Sequence, residues 1–239
     1  MISSTIASMQ GLLLVDKPKN WTSFDVVNYV RATLARSMGV KPKTIKVGHT
    51  GTLDPLATGL LVLLIGQKYT RRAGELSRLD KIYEVTLHLG FTSSTADDEG
   101  EKQSVNSREP KVAEIRKVLD HFTGEMKQVP PAFSAIKVHG QRSYKLARAG
   151  QSVTLEPRPI TIYQNRLKQY SYPLVQFISS VSSGTYIRSL VEDIGRELNT
   201  GAYMSELCRT SIGDFSLKNA VTVQNLSADL IGAQLQSLD

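Results

Sequence analysis

An aspartate in a glycine-rich segment is the residue of this sequence best suited to chemistry. Asp54 lies in the string GHTGTLDPLATG, residues 48–59. Three glycines permit backbone conformations that other residues avoid, so a ligand can approach closely. Pro55 biases the backbone of the preceding aspartate toward an extended shape, which holds the carboxylate forward. The segment therefore presents one carboxylate, and an Asx turn with a purely structural aspartate is the competing interpretation.

Other chemistries lack their sequence signals. There is no G-x-S-x-G string, and the single cysteine, Cys208, has no histidine close to it in sequence, which argues against a nucleophilic hydrolase. The four histidines are scattered without the paired spacing of metal sites. Neither a Walker A loop nor G-x-G-x-x-G occurs. We therefore expect no metal and no cofactor.

The composition of this chain of 239 residues limits the kinds of partner that it is expected to bind. Its formal net charge is +7, which favours polyanions such as nucleic acid. One cysteine excludes an intramolecular disulfide and fits a reducing compartment. The N-terminal residues do not resemble a secretory signal, and the longest apolar run, residues 60–65, is too short to cross a bilayer. We expect a cytoplasmic protein with no membrane partner.

The segments around the aspartate must hold it in place. Residues 11–15 and 60–65 predict short buried strands. A capping-box pattern at Thr22 predicts a helix that stops near Gly39. Between Gly39 and the strand at residues 60–65, the many Gly, Pro and Thr residues predict a long irregular loop.

The rest of the chain mixes strands and helices. Residues 81–89 alternate, with Tyr83, Val85, Leu87 and Leu89 on one face and Glu84, Thr86 and His88 on the other, which predicts a half-buried strand. The predicted strands cover residues 81–89, 159–167, 174–181 and 211–217. One predicted helix begins at Pro110, and two others cover residues 186–198 and 228–235. Because there is no regular βαβ alternation, the pattern favours the α+β class. Residues 124–150 are polar and basic, so we expect them to protrude from the core, and within them the string SAIKV at residues 134–138 predicts a short strand.

The Asp54 string resembles the catalytic loop of the bacterial TruB-type tRNA pseudouridine synthases, which modify uridine 55 in the T loop. Four further segments agree with that family in the same order. LLLVDKPKNWTS resembles its Lys-Pro motif, and KIYEV resembles the strand that carries its active-site tyrosine. PPAFSAIKVHGQRSYKLAR resembles its RNA-gripping thumb, and SSGTYIRSLVEDIG resembles the helix that carries its active-site arginine. Together the five segments span about residues 11–215.

The resemblance implies a fold and a domain organisation. The pseudouridine synthase fold is α+β, with a mixed, largely antiparallel central sheet flanked by helices and loops. The resemblance places a catalytic domain at residues 10–220, with a thumb-like insertion at about 124–150. Many relatives end in an RNA-binding domain of the PUA type, and residues 221–239 are too short for one. We therefore expect a short C-terminal tail instead.

The resemblance also implies the reaction. Asp54 is the catalytic aspartate of an enzyme that breaks the glycosidic bond of a flipped uridine and rejoins the base through C5, without a cofactor. Three roles remain open for the carboxylate: nucleophile at C6, nucleophile at C1′, or general base at C2′. Arg188 matches the arginine that pairs with this carboxylate, and Tyr83 the ring that stacks on the flipped uracil.

Further residues match substrate-binding positions of the family. His49 matches a histidine that contacts the opened T loop, Lys17 a lysine near the active site, and Tyr186 and Leu207 the lining of the base pocket. Asp97 matches an acidic residue with a supporting role. The basic residues of the thumb, which include Lys137 and Arg142, and those near the Asp54 loop (Lys41, Lys43 and Lys46) match phosphate-gripping positions.

The expected partner is the T stem-loop of tRNA, and we expect a monomer. Two other functions remain open. One is a guide-RNA-dependent pseudouridine synthase that acts on ribosomal RNA. The other is a tRNA-folding chaperone, since opening the T loop would itself remodel tRNA.

Overall fold

The computed structural model of this chain describes residues 9–134, 136–138 and 140–238. The helices are α1 (Ser23–Met38), α2 (Gln67–Thr70), α3 (Ala73–Leu76), α4 (Val112–His121), α5 (Ser143–Arg148), α6 (Ile187–Glu197) and α7 (Ala228–Gln234), with 3-10 turns at Pro42–Thr44, Leu217–Asn219 and Val223–Asn225. Within these residues, no helix is long and apolar enough to span a membrane.

The strands are β1 (Gly11–Lys17), β2 (Val47–His49), β3 (Thr58–Ile65), β4 (Lys81–Leu89), β5 (Phe91–Ser93), β6 (Lys102–Ser104), β7 (Gly124–Gln128), β8 (Lys137–Val138), β9 (Gln141–Arg142), β10 (Arg158–Ser171), β11 (Leu174–Val181), β12 (Ala202–Ile212), β13 (Phe215–Ser216) and β14 (Val221–Thr222). The chain divides into two compact units. The terminal unit holds the described residues up to Lys81 and from Cys208 onward, and the central unit is Ile82–Leu207.

Strand β3 is the core of the terminal unit. It pairs antiparallel with β1 and β2 and parallel with β12, while β14 pairs parallel with β1. Alternate side chains of β3 enter two different hydrophobic clusters, with Leu61 and Leu63 on one face and Leu60 and Val62 on the other. Because both faces are covered, this strand is an unbroken apolar run rather than an alternating one.

Helix α1 covers one face of that strand. The predicted capping box is present: the Thr22 hydroxyl accepts from the amide of Asp25, whose carboxylate accepts from the Thr22 amide. Val26, Val30 and Leu34 are fully buried against β3. The helix ends at Gly39, which adopts the left-handed conformation (φ +64°) expected of a C-cap glycine.

The predicted irregular loop before β3 contains regular structure. Pro42–Thr44 form a 3-10 turn, and Val47–His49 form β2, which runs antiparallel to β3 with His49 opposite Leu63. A strand of three residues is too short to produce a recognisable alternation, which is why the pattern does not predict it. The Asp54 loop, residues 48–59, is therefore mainly the connection between two paired strands.

The central unit is built on a sheet with strand order β12-β4-β11-β10-β7. Strand β10 pairs antiparallel with both β11 and β7. The end of helix α4 is tied to this sheet by the buried Asn165 of β10, whose amide donates to the carbonyls of Leu119 and Phe122 (both 3.1 Å). Mixed sheets and packed helices confirm the predicted α+β class.

The alternation predicted for β4 is largely confirmed. Tyr83, Val85 and Leu87 of one face are buried, as expected. Thr86, predicted to face solvent, is buried as well. Its carbonyl accepts from Ser205 Oγ of β12, so the neighbouring strand covers part of the polar face.

The bounds of the strand predicted at residues 211–217 are wrong. That range holds only the end of β12, which begins at Ala202 and ends at Ile212, and the short β13 that pairs with it. Polar residues on β12, including Arg209 with 1% exposure, hide its apolar pattern because they are buried instead of solvated. Helix α4 also begins at Val112, two residues after the predicted Pro110.

The structure also describes the basic segment and the C-terminal residues. Gly124–Gln128 form β7, a strand of the central sheet, so only the residues after it stand apart as a hairpin (β8–β9) and helix α5. Residue 135, within the strand-like string predicted at 134–138, lies outside the described residues. Beyond residue 220, β14 pairs with β1 and Ile231 of α7 is fully buried, so this segment packs into the terminal unit.

Candidate active site

The residues on both sides of Asp54 are fixed by hydrogen bonds. The amide of Leu53 donates to Ser23 Oγ (2.8 Å), and that hydroxyl donates to the Leu53 carbonyl (3.1 Å). On the other side, the Pro55 carbonyl accepts from the amide of Asn20 (2.8 Å). Asp54 itself is only partly buried. The loop therefore holds a partly exposed carboxylate between two anchored neighbours.

Lys17, at the end of β1, ties the same loop to the sheet. Its ammonium group is fully buried and donates to the carbonyls of Trp21 (2.6 Å), Pro18 (2.9 Å) and Pro55 (3.3 Å). Burial lowers the pKa of Lys17 to about 8, against the opposing effect of the Asp54 carboxylate. At neutral pH, Lys17 is therefore a cation, and it interacts with the Asp54 carboxylate.

The lowered pKa of Lys17 predicts a pH-dependent stability. Between pH 8 and 10.5 the unfolded chain keeps the Lys17 proton more firmly than the folded chain does, so stability rises with pH by up to about 3 kcal/mol. Urea unfolding from pH 7.5 to 10 should show this rise in the wild type and a smaller one in Lys17→Met. The exposed Lys117→Met serves as the control and keeps the wild-type slope. Equal slopes in wild type and Lys17→Met would contradict the assignment.

His49 ends β2 at the start of the Asp54 loop. It is partly buried, and burial together with the nearby Arg209 guanidinium lowers its pKa below the usual value. The imidazole is therefore neutral at pH 7, with one ring nitrogen able to donate a hydrogen bond and the other able to accept one. A neutral ring of this kind suits contact with a nucleobase better than contact with a phosphate.

Arg209 is a residue of this loop system that the sequence patterns do not reveal. It lies on β12, and its Nε donates to the Leu60 carbonyl (2.8 Å) and its Nη2 to the Gly51 carbonyl (3.1 Å). Its neighbours in sequence, Cys208 and Thr210, do not mark it as buried. Its burial becomes apparent only once β12 is placed at these residues.

Arg188 lies in the first turn of α6 in the central unit, with 7% exposure. Its Nε lies 3.7 Å from Asp97 Oδ2, and its Nη2 donates to the Phe133 carbonyl (2.9 Å). A cation at a helix N-terminus gains nothing from the helix dipole, so these partners compensate its burial. Asp97 is itself oriented by donors from Thr95 Oγ1 and the Glu99 amide.

The other predicted pocket residues of the central unit are also buried or anchored. Tyr83 on β4 has 8% exposure, and Leu207 on β12 has 9%. Tyr186 caps α6, and the buried Gln128 side chain holds its backbone by accepting from its amide (2.8 Å) and donating to its carbonyl (3.1 Å). The backbone that leads into Arg188 is therefore fixed.

The predicted phosphate-binding residues Lys137 and Arg142 face each other across the β8–β9 hairpin, and both are exposed. Like charges opposite each other on paired strands destabilise a hairpin, so this arrangement suits an anionic ligand.

The structure groups the predicted residues by unit. Lys17, His49 and Asp54 belong to one loop system in the terminal unit, whereas Tyr83, Arg188 and the remaining predicted residues belong to the central unit. Among residues 9–134, 136–138 and 140–238, no three His, Cys, Asp or Glu side chains cluster as a metal site would require.

Comparison with known proteins identifies the family. Residues 36–187 match the model of the TruB family pseudouridylate synthase N-terminal domain, and residues 188–238 match the tRNA pseudouridylate synthase B C-terminal domain. A protein of Flavobacterium johnsoniae named tRNA pseudouridine synthase B is 42% identical to this chain, and the match covers 89% of this chain and 92% of that protein. A protein of Chlamydia trachomatis with the same name is 43% identical, and the match covers 90% of this chain and 85% of that protein.

Solved structures agree. A chain of a Cbf5-Nop10-Gar1 complex matches 95% of this chain with a TM-score of 0.70 and 30% identity. This chain spans about half of that chain's length (55%). A structure of an H/ACA RNP bound to a substrate RNA containing 2′-deoxyuridine matches 94% of this chain and 54% of its own, with a TM-score of 0.66 and 27% identity. The chain belongs to the TruB family of pseudouridylate synthases.

Proposed function

We propose that this chain isomerises a uridine of tRNA, uridine 55 of the T loop, to pseudouridine, with Asp54 as the catalytic carboxylate. The observation that carries the proposal is the anchoring of the Asp54 loop. Leu53 and Pro55 are fixed by hydrogen bonds on both sides of a carboxylate that stays partly exposed. A carboxylate anchored in this way is pre-organised for a reacting group, which a solvated surface aspartate is not.

The reaction balances without a redox step or an added group. The C1′–N1 bond breaks, the uracil turns while bound, and a C1′–C5 bond forms. The proton on C5 leaves and N1 gains one, so product and substrate are isomers. Asp54 acts in this sequence either as a nucleophile, at C6 or C1′, or as a base at C2′.

Tyr83 and Arg188 are the other residues that we propose for the chemistry. The proposed role of Tyr83 is to stack its ring on the flipped uracil, since an extruded base must be held by stacking and edge contacts. The proposed role of Arg188 is to keep the catalytic carboxylate ionised and oriented. Its burial and its bond to a backbone carbonyl support a fixed guanidinium rather than a mobile surface one.

His49, Tyr186 and Leu207 would complete substrate binding. His49 has a lowered pKa, so it meets the RNA as a neutral ring that contacts a displaced base of the T loop. Tyr186 and Leu207 would line the site of the flipped uracil. The anchored backbone of Tyr186 supports such a role because it limits how far the ring can shift.

Lys137 and Arg142 are proposed to contact tRNA phosphates. Replacing either with alanine should weaken tRNA binding and lower the slope of log Kd against log salt by about 1, because each phosphate contact releases counterions. Filter binding at several KCl concentrations measures that slope. Arg72→Ala, which removes a half-exposed arginine paired with Glu75, is the matched control and should keep the wild-type slope. Unchanged slopes in both hairpin variants would refute the contacts.

A guide-dependent function on ribosomal RNA is less well supported. The curated relatives at 40–45% identity carry the name tRNA pseudouridine synthase B, whereas identity to the matched chain of the Cbf5-Nop10-Gar1 complex is 30%. We therefore favour a stand-alone enzyme that recognises tRNA.

Release of tritium from uridine C5 tests the proposal. The purified protein is incubated, without guide RNA and with EDTA present, with a tRNA transcript tritiated at uridine C5. We expect release to approach one tritium for each tRNA. Binding of the transcript without any release would reject the stand-alone enzyme, and release only after guide RNA is added would support the guided alternative.

A further inference from the structure

Arg209 has no role in the function proposed above, yet it is among the largest fully buried side chains of the described residues, with 1% exposure. It lies on β12 within the terminal unit. A buried guanidinium is costly unless its donors are used. Here they are used on two backbone carbonyls, one in the Asp54 loop and one in the first residues of β3.

The two carbonyl partners of Arg209 lie on either side of Asp54 in the sequence, one within the Asp54 loop and one directly after it. Gly51 precedes the aspartate and accepts from Nη2 (3.1 Å), whereas Leu60 follows it and accepts from Nε (2.8 Å). The guanidinium is planar and rigid, with its donors in a fixed fork. One such group that bonds both carbonyls therefore fixes the distance between Gly51 and Leu60.

The backbone of Arg209 also supports the loop. Gly59 pairs in parallel register with Arg209 and has a φ of +96°. A Cβ added to Gly59 would lie 2.4 Å from the Arg209 carbonyl oxygen and 2.8 Å from its amide nitrogen. Only glycine permits this approach, so the end of the Asp54 loop lies directly on β12.

The charge of Arg209 acts on neighbouring basic groups. After burial, the Arg209 charge contributes to lowering the pKa of Lys17, His49 and Lys81. Replacing a buried cation by an apolar residue of similar volume is often neutral or stabilising. A guanidinium kept among other basic groups therefore points to a geometric requirement rather than to stability alone.

We propose that Arg209 is a positioning residue that ties the backbone on both sides of Asp54 to β12 and thereby sets the position of the Asp54 carboxylate. The inference rests on the proposed function of Asp54. Arg209 acts through the loop backbone and not on the substrate. Its loss should therefore lower the rate of the chemical step and leave tRNA affinity almost unchanged.

Single-turnover kinetics with saturating tRNA test the inference. Arg209→Met should lower the rate constant about 100-fold, the effect of misplacing a reacting group by about 1 Å. Arg209→Lys retains one donor group and should lower the rate constant about 10-fold, since one carbonyl keeps a partner. Both Kd values should stay within about threefold of the wild type, because affinity depends mainly on phosphate contacts. Leu34→Ala, which removes a buried side chain of α1, is the control for lost stability and should keep the wild-type rate below its unfolding temperature.

Hydrogen exchange supplies a readout that does not depend on activity. In Arg209→Lys the amides of residues 51–60 should exchange faster than in the wild type, while in Leu34→Ala they should not. If Arg209→Met does not fold, Arg209→Lys carries both measurements. A wild-type rate and wild-type exchange in Arg209→Lys would overturn the inference. Faster exchange in the variant together with an inactive wild type would instead reject the proposed function and retain the positioning of the loop.

Discussion

Asp54→Asn is expected to lower the single-turnover rate of pseudouridine formation by at least about 10³-fold, because the amide is neither a base nor a nucleophile. The substitution keeps the size of the side chain, and the hydrogen bonds that anchor the loop involve Leu53 and Pro55 instead. The fold should therefore survive. Quench-flow with tritiated tRNA gives the rate, and thermal unfolding verifies the fold.

Two further variants make the Asp54 result specific. Asp54→Glu keeps the charge but moves it by one methylene. We expect the single-turnover rate to fall about 10²-fold, because the reaction tolerates only a small displacement of the carboxylate. Asp214→Asn removes an exposed carboxylate from the turn between β12 and β13 and should leave the rate unchanged. A chaperone activity on tRNA should persist in Asp54→Asn. If the amide variant kept near-wild-type catalysis, Asp54 would be a structural aspartate.

Arg188→Met is expected to have the second-largest effect, on both stability and catalysis. Removing the guanidinium leaves the buried Asp97 carboxylate without its cation, which typically costs about 3–5 kcal/mol. Loss of a fixed cation from the chemistry should also lower the rate by about 10²–10³-fold. Urea unfolding and single-turnover kinetics measure the two effects separately.

The double variant Asp97→Asn/Arg188→Met separates those effects. Neutralising both partners removes the unpaired buried charge, so much of the lost stability should return. The lost rate should not return, because the catalytic role proposed for Arg188 needs the guanidinium itself. Recovery of rate and stability together would show that Arg188 serves only the fold.

Features encoded by neighbouring residues are predictable from the sequence. The capping box at Thr22 and the left-handed Gly39 are local signals, and both ends of α1 follow them. The apolar run of β3 indicates a buried strand. The motif around Asp54 is likewise recognisable, because its glycines, its proline and its aspartate follow one another within twelve positions, residues 48–59.

Features that depend on distant residues are not predictable in this way. Strand β12 carries the buried Arg209, and its burial makes sense only because the carbonyls of Gly51 and Leu60, about 150 residues earlier in sequence, accept its donors. Gln128 is likewise an ordinary polar residue in the sequence, and only the fold brings it to the Tyr186 backbone. Rules based on alternation and helix capping do not predict hydrogen bonds between residues that are far apart in the sequence.

The most direct test of the central claim compares two tRNA transcripts that differ only at position 55. Both are tritiated at uridine C5, and in one of them uridine 55 is replaced by cytidine. We predict tritium release from the unaltered transcript by the wild type, none from the transcript with cytidine 55, and none from either with Asp54→Asn. Equal release from the two transcripts would contradict the assignment of uridine 55, and release by Asp54→Asn would contradict the assignment of the catalytic residue.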